Sequence, residues 1–417
     1  MTIMRRFVRS CGLLTVVGFY CLSYATGQEE YEHSLPLHGF SLHGYGVMNY
    51  HAFKWQTDPD RRNRIDIERL VLYPSVSLSD NITAKAEIEF EHGGTGSTME
   101  FDRFEEFGEY EMEIEKGGEV ELDQLHIQVR FSDLANLRIG RIKLPVGLIA
   151  THHEPGDYFT TTRSEMETAL IPSPWYENGV EFYGSLFSGH RLHFNLLVVN
   201  GLDATGFSSA NWIAPGHQMR FEFVNADDLA IVAGVTYSVS DDLTLGGSVY
   251  HGNSSDNRPK PDLDVPAQVN VVEAHGTWEK GGLEVRAMGL YGALQHADLV
   301  SKANRNVSNN LNVKRTPVGS AAAGYFVEAG YNVMSLGDSV AFALIPFVRW
   351  EYYDSMAKVT GDVFDNPRWE RKTLTAGVNV KPIENFVVKL QYSDRKVGIP
   401  TLNHEKTFTL GIGFEFE

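Results

Sequence analysis

Basic side chains recur where an extended strand would point them all one way. Arg138 is followed by Gly140-Arg141-Ile142-Lys143-Leu144, and Arg130, Arg371, Lys389 and Arg395 hold similar phases on other alternating segments. Arg163 stands in the irregular stretch after Lys143. Cations in rows attract anions and hand them along without covalent chemistry. Glu87, Glu89, Glu91, Glu181, Glu273, Glu284 and Glu328 share that phase elsewhere, so the surface they line is mixed in sign. For a metal ion there is His152-His153-Glu154 with Asp157, but strong metal sites need fixed spacing on rigid elements, and a polar connection is the better reading. No Gly-rich phosphate loop, His-Glu-x-x-His or Gly-x-Ser-x-Gly element stands out. The residues give no reason to expect an enzyme, a resident metal or a cofactor.

The elements that must position these cations are strands. Apolar and polar residues alternate from Leu37 to the end, as in Leu125, Ile127, Val129 and Phe131 against Gln124, His126, Gln128 and Arg130. Leu229, Ile231, Ala233, Val235, Tyr237 and Val239 repeat the pattern. Sixteen such segments are expected, at 38–53, 64–78, 81–92, 120–131, 136–144, 178–187, 190–200, 229–239, 242–252, 269–279, 282–293, 321–333, 340–353, 369–381, 385–396 and 404–416. An even number of roughly ten-residue alternating strands is what a closed transmembrane barrel requires. Their connections sort by length. Ser79-Asp80, Ser188-Gly189, Ser240-Asp241 and Lys280-Gly281 are brief, whereas 93–119, 145–177, 201–228, 253–268 and 294–320 are long. Short periplasmic turns alternating with long extracellular loops produce that order. Outward aromatics gather at both strand ends, with Phe131, Tyr237, Trp278, Tyr331, Phe386, Phe414 and Phe416 at one and Phe90, Tyr291, Trp350, Tyr352 and Tyr392 at the other. Two aromatic girdles mark two bilayer interfaces. The fold class expected is an all-β, antiparallel outer-membrane barrel.

The first 27 residues read as a cleaved export signal, with Arg5, Arg6 and Arg9 before an apolar stretch too short to span a bilayer. Residues 28–417 then form a single barrel domain. Both cysteines, Cys11 and Cys21, lie in the leader, so the mature chain has neither disulfides nor thiolate sites. Without the leader, 33 Lys+Arg stand against 54 Asp+Glu, which argues against nucleic acid as a partner. The acidic stretch Glu100–Asp123 reads as a solvated loop.

Two local features bear on the passage. Leu137 and Ile139 share a lipid-facing phase with Ile142 and Leu144 only if the alternation slips at Gly140, which leaves Arg138, Arg141 and Lys143 all inward. The connection 145–177 carries Tyr158, Phe159, Met166, Leu170, Ile171, Trp175 and Tyr176, which need burial that the barrel mouth can supply. It is expected to fold inward as a constriction and to bring Arg163 towards Arg141 and Lys143.

The run Gly140-Arg141-Ile142-Lys143-Leu144-Pro145-Val146-Gly147-Leu148 resembles the phosphate-selective porin O and P family. Thr162-Arg163-Ser164-Glu165-Met166 and Pro172-Ser173-Pro174-Trp175-Tyr176-Glu177-Asn178-Gly179 are similar to its pattern as well. The resemblance implies a sixteen-stranded barrel, commonly a homotrimer, whose extracellular loops narrow a pore lined by basic ladders that conduct phosphate. Arg141, Lys143 and Arg163 are the positions it carries over. The expected function is passive diffusion of small hydrophilic solutes across the outer membrane of a Gram-negative-type bacterium, leaning to anions such as phosphate. The partners are then those solutes and outer-membrane lipid. The alternative is a plugged, membrane-anchored surface protein whose acidic loops bind ions or partners.

Overall fold

The computed structural model describes residues 39–93, 100–106, 109–113, 119–187, 189, 191–218, 224–306, 315–336 and 342–417. The leader expected over 1–27 lies outside them. Sixteen strands close one antiparallel barrel. They are β1 Phe40–Trp55, β2 Arg64–Ser79, β3 Ile82–Glu91, β4 Glu119–Arg130, β5 Asn136–Lys143, β6 Tyr176–Leu186, β7 Leu192–Asn200 and β8 Leu229–Ser240. The ring continues with β9 Leu243–Gly252, β10 Val269–Lys280, β11 Leu283–Leu294, β12 Ala321–Tyr331, β13 Ala343–Lys358, β14 Glu370–Ile383, β15 Phe386–Val397 and β16 His404–Phe416. Each strand pairs with its sequence neighbours, and β16 returns to β1 from Gly44↔Phe416 to Trp55↔Glu405. Closure leaves no edge, so the strands pair their backbone groups with one another where water is absent.

Period-two alternation explains the outer wall. Ile127, Ile139, Val180, Leu196, Val198, Ile231, Val235 and Val272 are all exposed on the barrel's outside. The seam between β1 and β16 shows how side chains complete the closure. Gly44 and Gly46 lie opposite Phe416 and Phe414, and a Cβ on either glycine would meet the facing phenyl ring at under 3 Å. The rings cover the bare backbone that the glycines present, an aromatic–glycine pairing that pins strand register.

The connections alternate in length as expected as far as β12, whereas 332–342 and 359–369 on either side of β13 are equally long, and three further details differ. β13 runs from Ala343 to Lys358, further towards the extracellular end than 340–353, because residues 354–358 continue the ladder with β12. The connection after β3 holds a separate two-stranded hairpin, Glu100–Glu106 with Glu109–Glu113. Ile142 and Leu144 do not face lipid. Ile139 is 51% exposed, but Ile142 and Leu144 are both 0% exposed and belong to an interior apolar cluster. Gly140 does interrupt the alternation, with a φ of +134° that side chains other than hydrogen rarely adopt. Arg138 and Lys143, of opposite parity, both line one lumenal cavity as a result.

Candidate functional site

Inside the barrel the inward residues fall into two populations. On β7–β13 many are apolar: Leu197, Val199, Val232, Tyr250, Val271, Leu290 and Phe326 are buried although they sit on the lumenal phase. Residues from the extracellular connections cover them, among them Leu202, Phe207, Trp212 and Ile213 after β7 and Ala297 and Val300 on helix α1 (Ala297–Arg305) after β11. Trp212 is fully buried, donates Nε1–H to Gly319 O at 3.0 Å, and lies over Gly292, where a Cβ would have no room. Trp175 stacks on Tyr250 with ring centroids 4.5 Å apart. Arg258 braces this mass from Asn304 at 2.6 Å and Asp262 at 2.8 Å. One side of the lumen is thus filled by packed side chains, with Arg286 and Arg349 held among them on Glu328.

The other side, along β1–β4 and β14–β16, is polar. The segment 144–175 crosses to it from β5 and returns to β6. Lys389 Nζ donates to Tyr158 O at 2.6 Å and Thr160 O at 2.9 Å, and Gln391 Oε1 accepts from Thr161 N at 2.8 Å. Ser164 Oγ and Met166 N both donate to Glu351 Oε1, at 2.8 and 3.0 Å. Glu415 Oε1 accepts from Gly156 N at 2.9 Å. Lys389, Gln391 and Glu415 lie on β15 and β16 of the polar side and Glu351 on β13 at its border, while the segment is rooted between β5 and β6 on the far side of the ring.

Two cavities share no lining residue. The upper one, about 780 Å³, opens at the extracellular end of β1–β4 and β15–β16 and is lined by Arg61, Arg64, Arg69, Arg163 and Arg395 with Glu89, Glu91, Glu121 and Asp123. The lower one, about 540 Å³, is lined by His43, Tyr73, Lys85, His126, Arg138 and Lys143. Of the eight basic residues expected along the passage, Arg163 and Arg395 therefore line the upper cavity and Arg138 and Lys143 the lower. The other four line neither. Arg141 donates to Asp123 O and Gln218 O, and Lys389 is taken up by the two carbonyls above. Arg130 is exposed at the short-turn end of β4, and Arg371 lies over the Trp369 ring at 5.5 Å where β14 begins. A long basic side chain at an inward phase can reach a neighbouring carbonyl as easily as open water, so parity alone does not place its charge.

Most cavity cations are paired. Arg395 bonds Glu165 and Glu405, Arg138 bonds Glu181 at 2.8 Å, and Arg69 bridges Glu68 at 2.9 Å and Glu89 at 3.0 Å. Arg163 differs. It is 8% exposed, its Nη2 donates to Tyr45 Oη at 2.7 Å and approaches His153 O at 3.5 Å, and its Nε has no partner. No carboxylate lies within 4 Å of it among the described residues. Lys143 Nζ lies 3.2 Å from His153 Nε2, so Arg163 and Lys143 do converge, on His153, whereas Arg141 does not join them. Burial, then Lys143 and Arg163, push the His153 imidazole well below its ordinary range and keep it neutral.

Arg61, Arg64 and Arg69 were not anticipated. Arg64 pairs with inward-facing His51 and was readable from the alternation of Ile65 and Ile67, both exposed outside. Arg69 was not, because the ladder with β1 shifts between Val47 and Asn49 and reverses the phase of β2.

A family profile described as beta-barrel porin-2, OmpL-like, matches residues 169–416. An uncharacterized protein of Aquifex aeolicus is 27% identical over 362 residues, 85% of this chain and 75% of that one. Solved structures share the fold at low identity. Salmonella typhi OmpF in complex with daunomycin is 11% identical, with a TM-score of 0.55 over 90% of this chain and 97% of that one. The outer-membrane channel DcaP of Acinetobacter baumannii is 10% identical, with a TM-score of 0.54 over 94% and 100%. The anion-selective porin of Comamonas acidovorans is 10% identical, with a TM-score of 0.52 over 91% and 99%. With its closed sixteen-stranded barrel and outward apolar band, this chain belongs to the OmpL-like beta-barrel porin-2 family of outer-membrane proteins.

Proposed function

We propose that the protein is a passive porin for small hydrophilic solutes, leaning to anions such as phosphate, with segment 144–175 as its constriction. The carrying observation is Arg163, a buried guanidinium on the upper cavity wall with no carboxylate partner among the described residues. Its Nε is left without a hydrogen-bond partner, a place that an anion in transit can take. Lys143 just below it extends the favourable path, and both residues lie in the segments that resemble phosphate-selective porins. Solved structures that share this fold include one described as an anion-selective porin and a Vibrio cholerae OmpT described in trimer form, which support an anion preference and a homotrimer.

Single-channel recording in planar bilayers with a potassium chloride gradient tests the reading. The reversal potential should lie on the chloride side, and Arg163→Glu should move it towards potassium. A wild-type channel that prefers potassium overturns the anion preference.

The dry packing on β7–β13 favours a second reading, a plugged barrel that anchors acidic surface loops. The same recording separates the two, since open steps support a porin and silence supports the anchor.

A further inference from the structure

At the extracellular end of β14, β15, β16 and β1 the outward faces carry lysines. Lys54, Lys372, Lys396 and Lys406 have chain neighbours, Trp55, Thr373, Arg395 and Glu405, that line the upper cavity, so the lysines themselves point away from it. Lys54 stands opposite Lys406 across the seam, and Lys372 stands opposite Lys396. Like charges directly opposed on one face destabilise a sheet, and here two such pairs occupy adjoining strands. Elsewhere on the same rim the outward residues are apolar, as with Ile65 and Ile67 on β2 and Leu229 and Ile231 on β8.

The strand carboxylates of this face answer only half of that charge. Asp394 lies 4.0 Å from Lys406 and 2.8 Å from His404 Nδ1, and Glu370 accepts from Lys372 at 2.6 Å. Asp354, opposite Glu370, turns an oxygen to the Met356 N–H at 2.9 Å. Lys54 and Lys396 are exposed and have no carboxylate within 4 Å among the described residues. Each opposed pair therefore holds one ammonium that has a carboxylate and one that has none. A phosphate, with several charged oxygens, can bridge the members of such a pair.

The height of the lysines on the barrel selects the source of that phosphate. Lys54, Lys406 and Lys396 stand just beyond Tyr50, Phe408 and Tyr392, the outward aromatics of their own strands, and Met48, Leu410 and Leu390 continue the exposed apolar surface below. Lys372 lies over the Tyr352 ring at 5.7 Å. Outward aromatics mark the membrane interface, so ammoniums just past them sit at headgroup depth, above a surface that acyl chains cover.

We propose that Lys54, Lys406, Lys396 and Lys372 form a docking surface for a phosphate-bearing lipid of the outer leaflet. Its phosphates lie between the opposed lysines and its acyl chains along Tyr50, Phe408 and Tyr392. Lys54 and Lys396 carry most of the binding, because their charges are not already met. The surface is outside the barrel wall and does not depend on the porin function proposed above.

Native mass spectrometry of the whole barrel released from a neutral detergent tests this, with bisphosphorylated lipid A as the probe. Wild type should retain the lipid and should hold the same lipid stripped of its phosphates about tenfold more weakly. Lys54→Gln with Lys396→Gln should weaken retention by about tenfold or more, the attraction that two surface lysines give to anionic lipid. Lys280→Gln, which removes an exposed lysine at the opposite rim, should leave it unchanged. Thermal unfolding in the same detergent gives a second readout. The lipid should raise the midpoint of wild type and not that of the double variant, which without lipid should be at least as stable as wild type. Equal retention by wild type and the double variant overturns the docking surface, as does an equal loss in Lys280→Gln. Equal retention of the stripped lipid overturns it too, since acyl chains alone would then explain binding. Retention abolished by inorganic phosphate at the lipid's own concentration overturns the lipid as occupant and makes the lysines a site for free phosphate.

Discussion

The two sides of this lumen are built from the same alternating strands and end in opposite states. Along β7–β13 the inward faces carry Val232, Val271, Leu290 and Phe326, and distant connections bury them as a soluble protein buries its core. Along β1–β4 and β14–β16 the inward faces carry His51, Glu89, Gln391 and Arg395 around open cavities. A barrel of this size does not have to be uniformly wet. Its aqueous route can be pushed against one wall by loops that supply an apolar filling for the other.

If that division is right, the largest response should come from the dry side. Trp212→Ala removes a fully buried indole that packs over Gly292, and truncations of this kind cost about 3–5 kcal/mol. Urea or thermal unfolding of the folded barrel in detergent reads this directly. A cost below about 1 kcal/mol would mean that the cluster is a loose cover and not a core.

A smaller effect separates lipid from lumen on one strand of the wet side. Ile127→Arg places a charge on the outer face, at about 2–4 kcal/mol if it lies near the bilayer midplane. Its neighbour Gln128 lines the lower cavity, and Gln128→Arg should cost much less. Equal losses at the two positions would break the assignment of faces.

The smallest effect is a pH dependence of segment 144–175. Glu154 is pushed up to about 7 by burial, then by Asp157 and Glu415. Glu167 is pushed up to about 7 by burial, partly relieved by the Ile149 N–H at 3.0 Å. Both carboxyls therefore bind a proton more tightly in the folded segment than in the free chain, where the ordinary value is 4.5. Their stabilising contribution is full below about pH 4.5 and is lost as pH rises through about 7. Amide exchange over 148–170, corrected for its intrinsic rate, should be faster at pH 8 than at pH 5. Identical protection at the two pH values would show that neither acid matters to the fold of the segment.

Much of the barrel was legible in the residues because its evidence is local. Ile127 beside Gln128, or Val235 beside Thr236, reports the two faces of a strand wherever the rest of the chain goes. The brief turns at Asp80, Asp241 and Gly281 mark the periplasmic rim in the same way. The site was less legible. Ile142 and Leu144 look lipid-facing by type, and only the cluster above them shows otherwise. Lys389 looks pore-lining by phase, and only the carbonyls of Tyr158 and Thr160, some 230 residues earlier, show where its charge goes.

By itself the sequence determined the strand number, the order of short and long connections, the outer-membrane barrel and the basic residues available to a passage. These follow from a period of two and from turn chemistry, both set by neighbours along the chain. Tertiary structure alone decided which inward faces are dry, which cations stay unpaired, and that His153 meets Tyr73 and Lys143. Those outcomes depend on which remote segment lands on a given wall, and side-chain alternation carries no information about what fills the space it faces.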